Sequence, residues 1–223
     1  MAYIKIAPSI LSADFAHLGN QVQEAVSGSA DYIHVDVMDG HFVPNLTIGP
    51  AVVKSLRRMT DAVLDTHLMI ESPEKYIAPF ADAGASILTV HIEVMKDPEQ
   101  VFELIRKQNI KVGLTLNPRT PFSAVEPYLN QIDLLLIMTV QPGFGAQAFM
   151  QDQLPKIMHA ATLKRQKGLS YEIEVDGGIS DKTAAAVCES GAEVLVAGNA
   201  VFGGGVISDN IRHIRFVGEK AIA

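Results

Sequence analysis

Eight short runs of β-branched and aliphatic residues recur along this chain, and their spacing is the strongest constraint on its fold. They are IKIAPS (4–9), YIHVDV (32–37), AVLDTHL (62–68), SILTVH (86–91), IKVGLTL (110–116), DLLLIMTV (133–140), YEIEVD (171–176) and EVLVAG (193–198). Successive runs start 22 to 38 residues apart, room each time for one helix and two turns. Several are almost continuously apolar, as parallel strands buried on both faces must be. Ser72-Pro73, Asp97-Pro98 and Thr120-Pro121 each set a capping residue before a proline, a helix-start signal. Glycine stands just before three of the runs, in SGSAD, AGAS and SGAE, where helices leave through a left-handed residue. These echoes indicate a repeated βα unit. The pattern predicts an α/β protein, a (β/α)8 TIM barrel formed as a single domain by residues 1–223. A doubly wound open sheet would carry a glycine fingerprint after its first strand, whereas the first run here leads into APSILSAD.

Composition excludes several classes of function. Charged residues are 19% of the chain and hydrophobic ones 48%, which suits a large core. The formal charge is −7, the only basic cluster (LKRQK, 163–167) has no interleaved aromatics, and tryptophan is absent, so nucleic acid is not an expected partner. The longest apolar run, LLLIM (134–138), is far too short to cross a bilayer. The opening MAYIKIAPSILSAD lacks the basic-then-apolar layout of a secretory signal, and a cytoplasmic location is expected. A lone cysteine, Cys188, permits no internal disulfide and is expected to pack in a helix rather than to react.

A barrel of this kind places its chemistry at the C-terminal ends of its strands. His34 and Asp36 lie there on the second run, His67 on the third and Asp176 on the seventh. Side chains two apart on a strand share a face, so His34 and Asp36 can reach one point. Two imidazoles and two carboxylates suit a single divalent ion such as zinc, iron, manganese or cobalt. The two carboxylates could also act as a base and an acid. His91 ends the fourth run and reads as a rim histidine, with a spare ligand or a partner behind a ligand as the other readings. His17, His159 and His213 fall in predicted helices as surface residues, and Asp39 and His41 fall in the DGHFVPN loop, where Asp39 reads as a loop hydrogen-bonder.

Two glycine turns follow the last two runs, Gly177-Gly178 in DGGISD and Gly198-Asn199 in AGNA. Turns at these places in a barrel hold phosphate groups on backbone N–H donors. A third, QPGFGAQ, contains Gly143, Phe144, Gly145 and Ala146 and reads as a mobile lid. Met38, Met69 and Met138 stand at strand ends, either as core or as an apolar wall that excludes water.

APSILSAD, HVDVMDGHFVPN, HLMI, MTVQPGFGAQ, EVDGG and AGNAVF, in this order from about residue 4 to residue 203, closely resemble the D-ribulose-5-phosphate 3-epimerase family. The resemblance implies a metal-dependent (β/α)8 barrel of the ribulose-phosphate-binding type, with no organic cofactor. The family interconverts D-ribulose 5-phosphate and D-xylulose 5-phosphate in the pentose phosphate pathway. Carried onto matching positions, His34, Asp36, His67 and Asp176 would bind one divalent metal ion, with His67 also near the substrate. Asp36 and Asp176 would be the acid/base pair, and Ser9 would hydrogen-bond the phosphorylated ketose. Met38, Met69 and Met138 would line the intermediate, and Gly143, Phe144, Gly145, Ala146, Gly177, Gly178, Gly198 and Asn199 would hold the phosphate. A homo-oligomer is expected from the same resemblance.

Gln141, Ala146 and Asn199 stand where the family pattern has asparagine, glycine and serine. All three lie in substrate-holding turns, which leaves D-allulose-6-phosphate 3-epimerase as an alternative on the same barrel. A catalytically silent sugar-phosphate-binding barrel would be expected to lack one of the four metal-type residues. A metal-free decarboxylase or synthase would be expected to show a lysine at a strand end, and these strand ends show none.

Overall fold

The computed structural model describes residues 3–223, so the first two positions of the expected domain lie outside the described residues. Eight parallel strands follow one another round a single sheet: β1 (Lys5–Pro8), β2 (Tyr32–Met38), β3 (Val63–Met69), β4 (Ile87–His91), β5 (Lys111–Leu116), β6 (Leu134–Met138), β7 (Glu172–Asp176) and β8 (Val194–Ala197). β1 pairs with β8, and the seam between β1 and β2 is closed by a parallel bridge, Ser9 to His34. The Asp31 amide also donates to the Ile6 carbonyl at 3.0 Å across that seam. The result is the nearly closed barrel that the eight runs predict.

Helices α1 (Leu18–Ser27), α2 (Pro50–Arg57), α3 (Ile77–Ala83), α4 (Pro98–Arg106), α5 (Leu154–Lys167) and α6 (Ala184–Glu189) surround it. A four-residue helix, α7 (Asn199–Phe202), and the long α8 (Ile207–Ala221) follow β8. The fifth βα unit departs from expectation. Between β5 and β6 the described residues form only 3-10 turns, Phe122–Ala124 and Glu126–Gln131. Pro118, Pro121 and Pro127 each lack an N–H, and Pro127 lies where a continuous α-helix starting at Pro121 would need that donor.

The punctuation signals were only partly right. Asp97 caps α4, accepting from the Gln100 amide. Ser72 is left-handed (φ 52°) and makes no capping bond, and the Thr120 hydroxyl turns instead to Glu93. Gly84 and Gly191 are left-handed, at φ 102° and 108°. Gly28 is not: Ser29 takes the positive φ there, and glycine is needed because a Cβ at position 28 would lie 2.6 Å from the Ser208 Cα.

Successive residues on each strand alternate between two cores. One face packs outward against the helices, with Ile33, Val35, Leu64, Leu88, Leu135 and Ile173 in that layer. Each such side chain stabilises by roughly 1.5–3 kcal/mol through its removal from water. The other face fills the barrel, where Ala7, Ile87, Leu134, Leu136, Val194 and Val196 form an apolar sector. His34, Asp65 and Glu174 form a polar sector beside it, all fully buried. At the N-terminal end of the strands the barrel is sealed by charge. The Lys5 ammonium donates to Glu172 (2.5 Å) and to the Tyr32 hydroxyl (2.9 Å), which itself donates to Glu172 (2.5 Å).

Cys188 packs between α6 and α8 as expected, 2% exposed. Burial, and then the charges of Glu189 and Glu219, push its thiol up to about 12, so it is inert at neutral pH. None of the described helices is long and apolar enough to cross a membrane.

Candidate active site

The register of β2 against β3 builds the centre of the site. It sets Asp36 beside His67 and His34 beside Asp65 at two successive heights in the barrel. At the upper height Asp36 Oδ1 lies 3.3 Å from His34 Nε2 and 3.3 Å from His67 Nδ1. Asp176, opposite Met138 at the end of β7, completes the group. One ligand atom from each of His34, Asp36, His67 and Asp176 lies within 4.8 Å of every other. All four metal-type residues singled out in the sequence therefore meet at one point.

Each imidazole is backed from behind. His34 Nδ1 donates to Asp65 Oδ2 at 2.5 Å, which aims Nε2 at Asp36. His67 Nε2 faces His91 Nε2 at 2.9 Å. The two atoms that point at Asp36, His34 Nε2 and His67 Nδ1, are buried and have no hydrogen-bond partner among the described residues. Ser9 Oγ donates to the other oxygen of Asp36 at 2.6 Å, which holds that carboxylate in plane.

Burial disfavours charge on every one of these groups, and their neighbours then separate them. For His34 burial works against the imidazolium, but the carboxylates of Asp36 and Asp65 outweigh it and raise the group well above its ordinary range. Burial would raise Asp36 too, yet His34 and His67 hold it far below the usual carboxylate range. For Asp176 the pull of His34 is outweighed. Burial, and then the negative charge of Asp36, push it up to about 7. Burial lowers His67. Two carboxyl groups within reach of one point thus differ in protonation near neutral pH, the arrangement an acid/base pair requires.

Above this centre opens a pocket lined by Ser9, Asp36, Met38, Met69, Met138 and Asp176, and by every turn residue expected to hold phosphate: Gly143, Phe144, Gly145, Ala146, Gly177, Gly178, Gly198 and Asn199. His34 and His67 are absent from its lining because both are fully buried beneath it. Gly177 and Gly178 are at φ 124° and 66°, a path glycine follows without strain. The Thr139 hydroxyl bonds the Gly177 carbonyl (2.6 Å) and locks the turn to the end of β6. In the turn expected to act as a lid, Gln147 Nε2 donates to the carbonyls of Gln141 (2.6 Å) and Phe144 (2.8 Å), and Asn45 Nδ2 donates to the Gly143 carbonyl from outside it (2.9 Å). Of the three departures from the family pattern, Ala146 and Asn199 line the pocket and Gln141 does not. Ala146 sits at φ 55°, where a side chain costs about 1–2 kcal/mol that glycine would not.

The pattern that describes the ribulose-phosphate 3 epimerase family matches residues 5–202. The chain belongs to that family. Ribulose-phosphate 3-epimerase of Bacillus subtilis (strain 168) is 53% identical over 201 residues, 90% of this chain and 93% of that one. The chloroplastic ribulose-5-phosphate-3-epimerase of Arabidopsis thaliana is 48% identical, over 95% of this chain and 76% of that one. Among solved structures, KGPDC from Streptococcus mutans matches with a TM-score of 0.73 at 13% identity, over 99% of this chain and 100% of that one. The 3-hexulose-6-phosphate synthase from Salmonella typhimurium matches at 0.73 and 16% identity, over 98% and 100%. These two establish the shared barrel alone. The protein is an isomerase of the epimerase class.

Several residues of this candidate site escaped the sequence reading. Asp65 and Glu174 are fully buried under the pocket floor, each two positions before a residue that was singled out. The same two-residue spacing that paired His34 with Asp36 would have found both. His91, read as a rim histidine, is fully buried and lies edge to edge with His67, with ring centroids 5.0 Å apart. Burial also lowers it to about 4. Asp39 has the loop role expected of it, accepting from the amides of His41, Phe42 and Glu71 at 2.8–3.0 Å. His17 precedes α1 rather than lying in it, paired with Asp14.

Proposed function

We propose that the protein interconverts D-ribulose 5-phosphate and D-xylulose 5-phosphate as one (β/α)8 domain, with Asp36 and Asp176 as the acid/base pair and one divalent ion as the cofactor. The observation that carries this reading is the meeting of two carboxyl groups at one point, beside two imidazole nitrogens, His34 Nε2 and His67 Nδ1, that have no hydrogen-bond partner among the described residues. The names of the curated relatives support the choice of substrate.

The donor set fits a metal. Each buried, unpaired imidazole nitrogen costs about 1–3 kcal/mol unless a cation satisfies it. His34 through Nε2, His67 through Nδ1, Asp36 and Asp176 would hold the ion. Bound there, it would supply Lewis-acid chemistry, making the proton on carbon 3 more acidic and steadying the enediolate left by its removal.

The remaining steps belong to the chain. Asp36 and Asp176 come from strands three places apart round the ring, so they approach carbon 3 from different sides. The ionised carboxylate takes the proton from one face, and the protonated one returns a proton to the other face, inverting the centre. The reverse reaction swaps their roles. Ser9 keeps Asp36 aimed while its proton load changes. Met38, Met69 and Met138 form an apolar wall that keeps water from the carbanionic carbon. The turns at Gly143–Ala146, Gly177–Gly178 and Gly198–Asn199 offer backbone N–H groups to the phosphate.

The test is incubation of metal-loaded protein with D-ribulose 5-phosphate in heavy water, followed at carbon 3 by NMR. D-xylulose 5-phosphate carrying deuterium at carbon 3 is the expected product. Absence of both exchange and product with zinc, manganese, iron and cobalt would remove the assignment.

Metal binding should also depend steeply on pH. Asp176 near 7 and the raised His34 must both lose protons before they can ligate. Affinity is therefore present above these values and lost as pH falls through them, by at least about tenfold per unit below pH 7. Calorimetric titration with zinc in buffers of different ionisation enthalpy should show net proton release. A flat affinity between pH 6 and 8 would contradict this.

A further inference from the structure

Behind His67 runs a chain of hydrogen bonds that the acid/base chemistry does not use. We propose that Glu93 is a positioning residue: acting through His91, it fixes His67 with its proton on Nε2 and with Nδ1 bare toward Asp36. The metal reading given above is the ground for calling Nδ1 a ligand atom.

The direction of each bond follows from the one before it. Glu93 is committed on both oxygens. Oε1 accepts from the Asn117 amide (2.8 Å) and the Thr120 hydroxyl, and Oε2 lies 3.2 Å from His91 Nδ1. An ionised carboxylate only accepts, so His91 Nδ1 carries a proton and donates. Unlike His34, which lies between Asp36 and Asp65, His91 meets only one carboxylate among the described residues, Glu93; a single proton on Nδ1 satisfies that contact and leaves Nε2 as an acceptor. His67 Nε2, 2.9 Å away, must then be the donor, and its own proton is thereby placed. Nδ1 is left bare, and it is the atom that lies 3.3 Å from Asp36 Oδ1 without a hydrogen bond.

Packing keeps the relay from rotating out of line. His91 is held between His67 and the tilted ring of Phe42, whose centroid lies 4.6 Å away. The Lys156 ammonium donates to the carbonyls of Pro118 (2.9 Å) and Thr120 (3.1 Å), which pins the loop that supplies the Thr120 hydroxyl to Glu93. His34 reaches the same end by a direct bond to Asp65, so the two imidazoles are set by separate carboxylates. Partners of this kind typically change metal affinity by about 10- to 100-fold.

Glu93→Gln separates this role from mere packing. The glutamine amide can donate to His91 Nδ1, which reverses the relay and puts the proton of His67 on Nδ1. Zinc affinity, measured by competition with a chelator, should fall about 10- to 100-fold. Two-bond proton–nitrogen NMR on the metal-free proteins should place the His67 proton on Nε2 in the natural chain and shift it toward Nδ1 in the variant. Zinc binding by E93Q at the natural affinity would overturn the proposal. So would an Nδ1 proton on His67 in the natural chain, a result that needs no variant to fold. If the natural chain bound no zinc, manganese, iron or cobalt, the metal reading would fall, while the proton position would still decide the role of Glu93.

Discussion

Replacing Asp176 with asparagine is expected to lower the epimerisation rate by about 10³-fold or more while leaving half of the proton chemistry in place. An amide neither takes nor returns a proton, so the face served by Asp176 falls silent. Asp36, held ionised by His34 and His67, still serves the other face. In heavy water one epimer should therefore exchange its carbon 3 proton for deuterium without becoming the other. About 10³-fold in rate is roughly 4 kcal/mol of barrier. Asp176 also belongs to the proposed ligand set, so metal content should be measured alongside, because the amide oxygen can remain a weaker ligand. Conversion near the natural rate, or exchange into both epimers, would show that another group acts on that face.

Gly177→Ala is expected to lower stability strongly. Its φ of 124° is already unfavourable for a side chain, and a Cβ there would lie 2.6–2.7 Å from the Val140 side chain and amide nitrogen. Left-handed strain contributes about 1–2 kcal/mol and overpacking about 1–3 kcal/mol. A loss of about 3 kcal/mol corresponds to a Tm lowered by about 10 °C in a chain of this length. Because Gly177 lines the pocket beside Asp176, KM for the phosphate ester should rise as well. Gly168→Ala is the control. That glycine ends α5 at φ 62° with nothing within 4 Å of a Cβ, so it should lose only the conformational part. Equal melting temperatures for the two variants would mean that the Val140 contact relaxes without penalty.

How much of the site could be read in the sequence depended on whether the relevant rule is local. Alternation along a strand placed His34 with Asp36 on one face, and that placement holds. The same rule applied two residues earlier would have found Asp65 and Glu174, but charged residues deep in a barrel run against the usual pattern of burial. His91 was misjudged for another reason. Its depth depends on Phe42 and on the neighbouring strand, neither of which is near it in sequence. The fifth crossover was misjudged because strand spacing fixes the length of a connection and not its conformation. Thr120-Pro121 reads as a helix start, but Pro127, six residues on, removes a donor that a helix from there would need.

The sequence by itself determined the eight strands, their parallel order, the end at which the chemistry collects and the residue types that meet there. These follow from periodicity and from glycine and proline positions, which act over a few residues and survive in any context. Only the tertiary structure decided which nitrogen of each histidine faces Asp36, which carboxylate stands behind it, and that the surroundings push Asp36 down and Asp176 up. Those properties depend on register between strands and on distances of a few ångströms in a dry interior. There electrostatic interactions are strong, and they couple groups from every part of the chain.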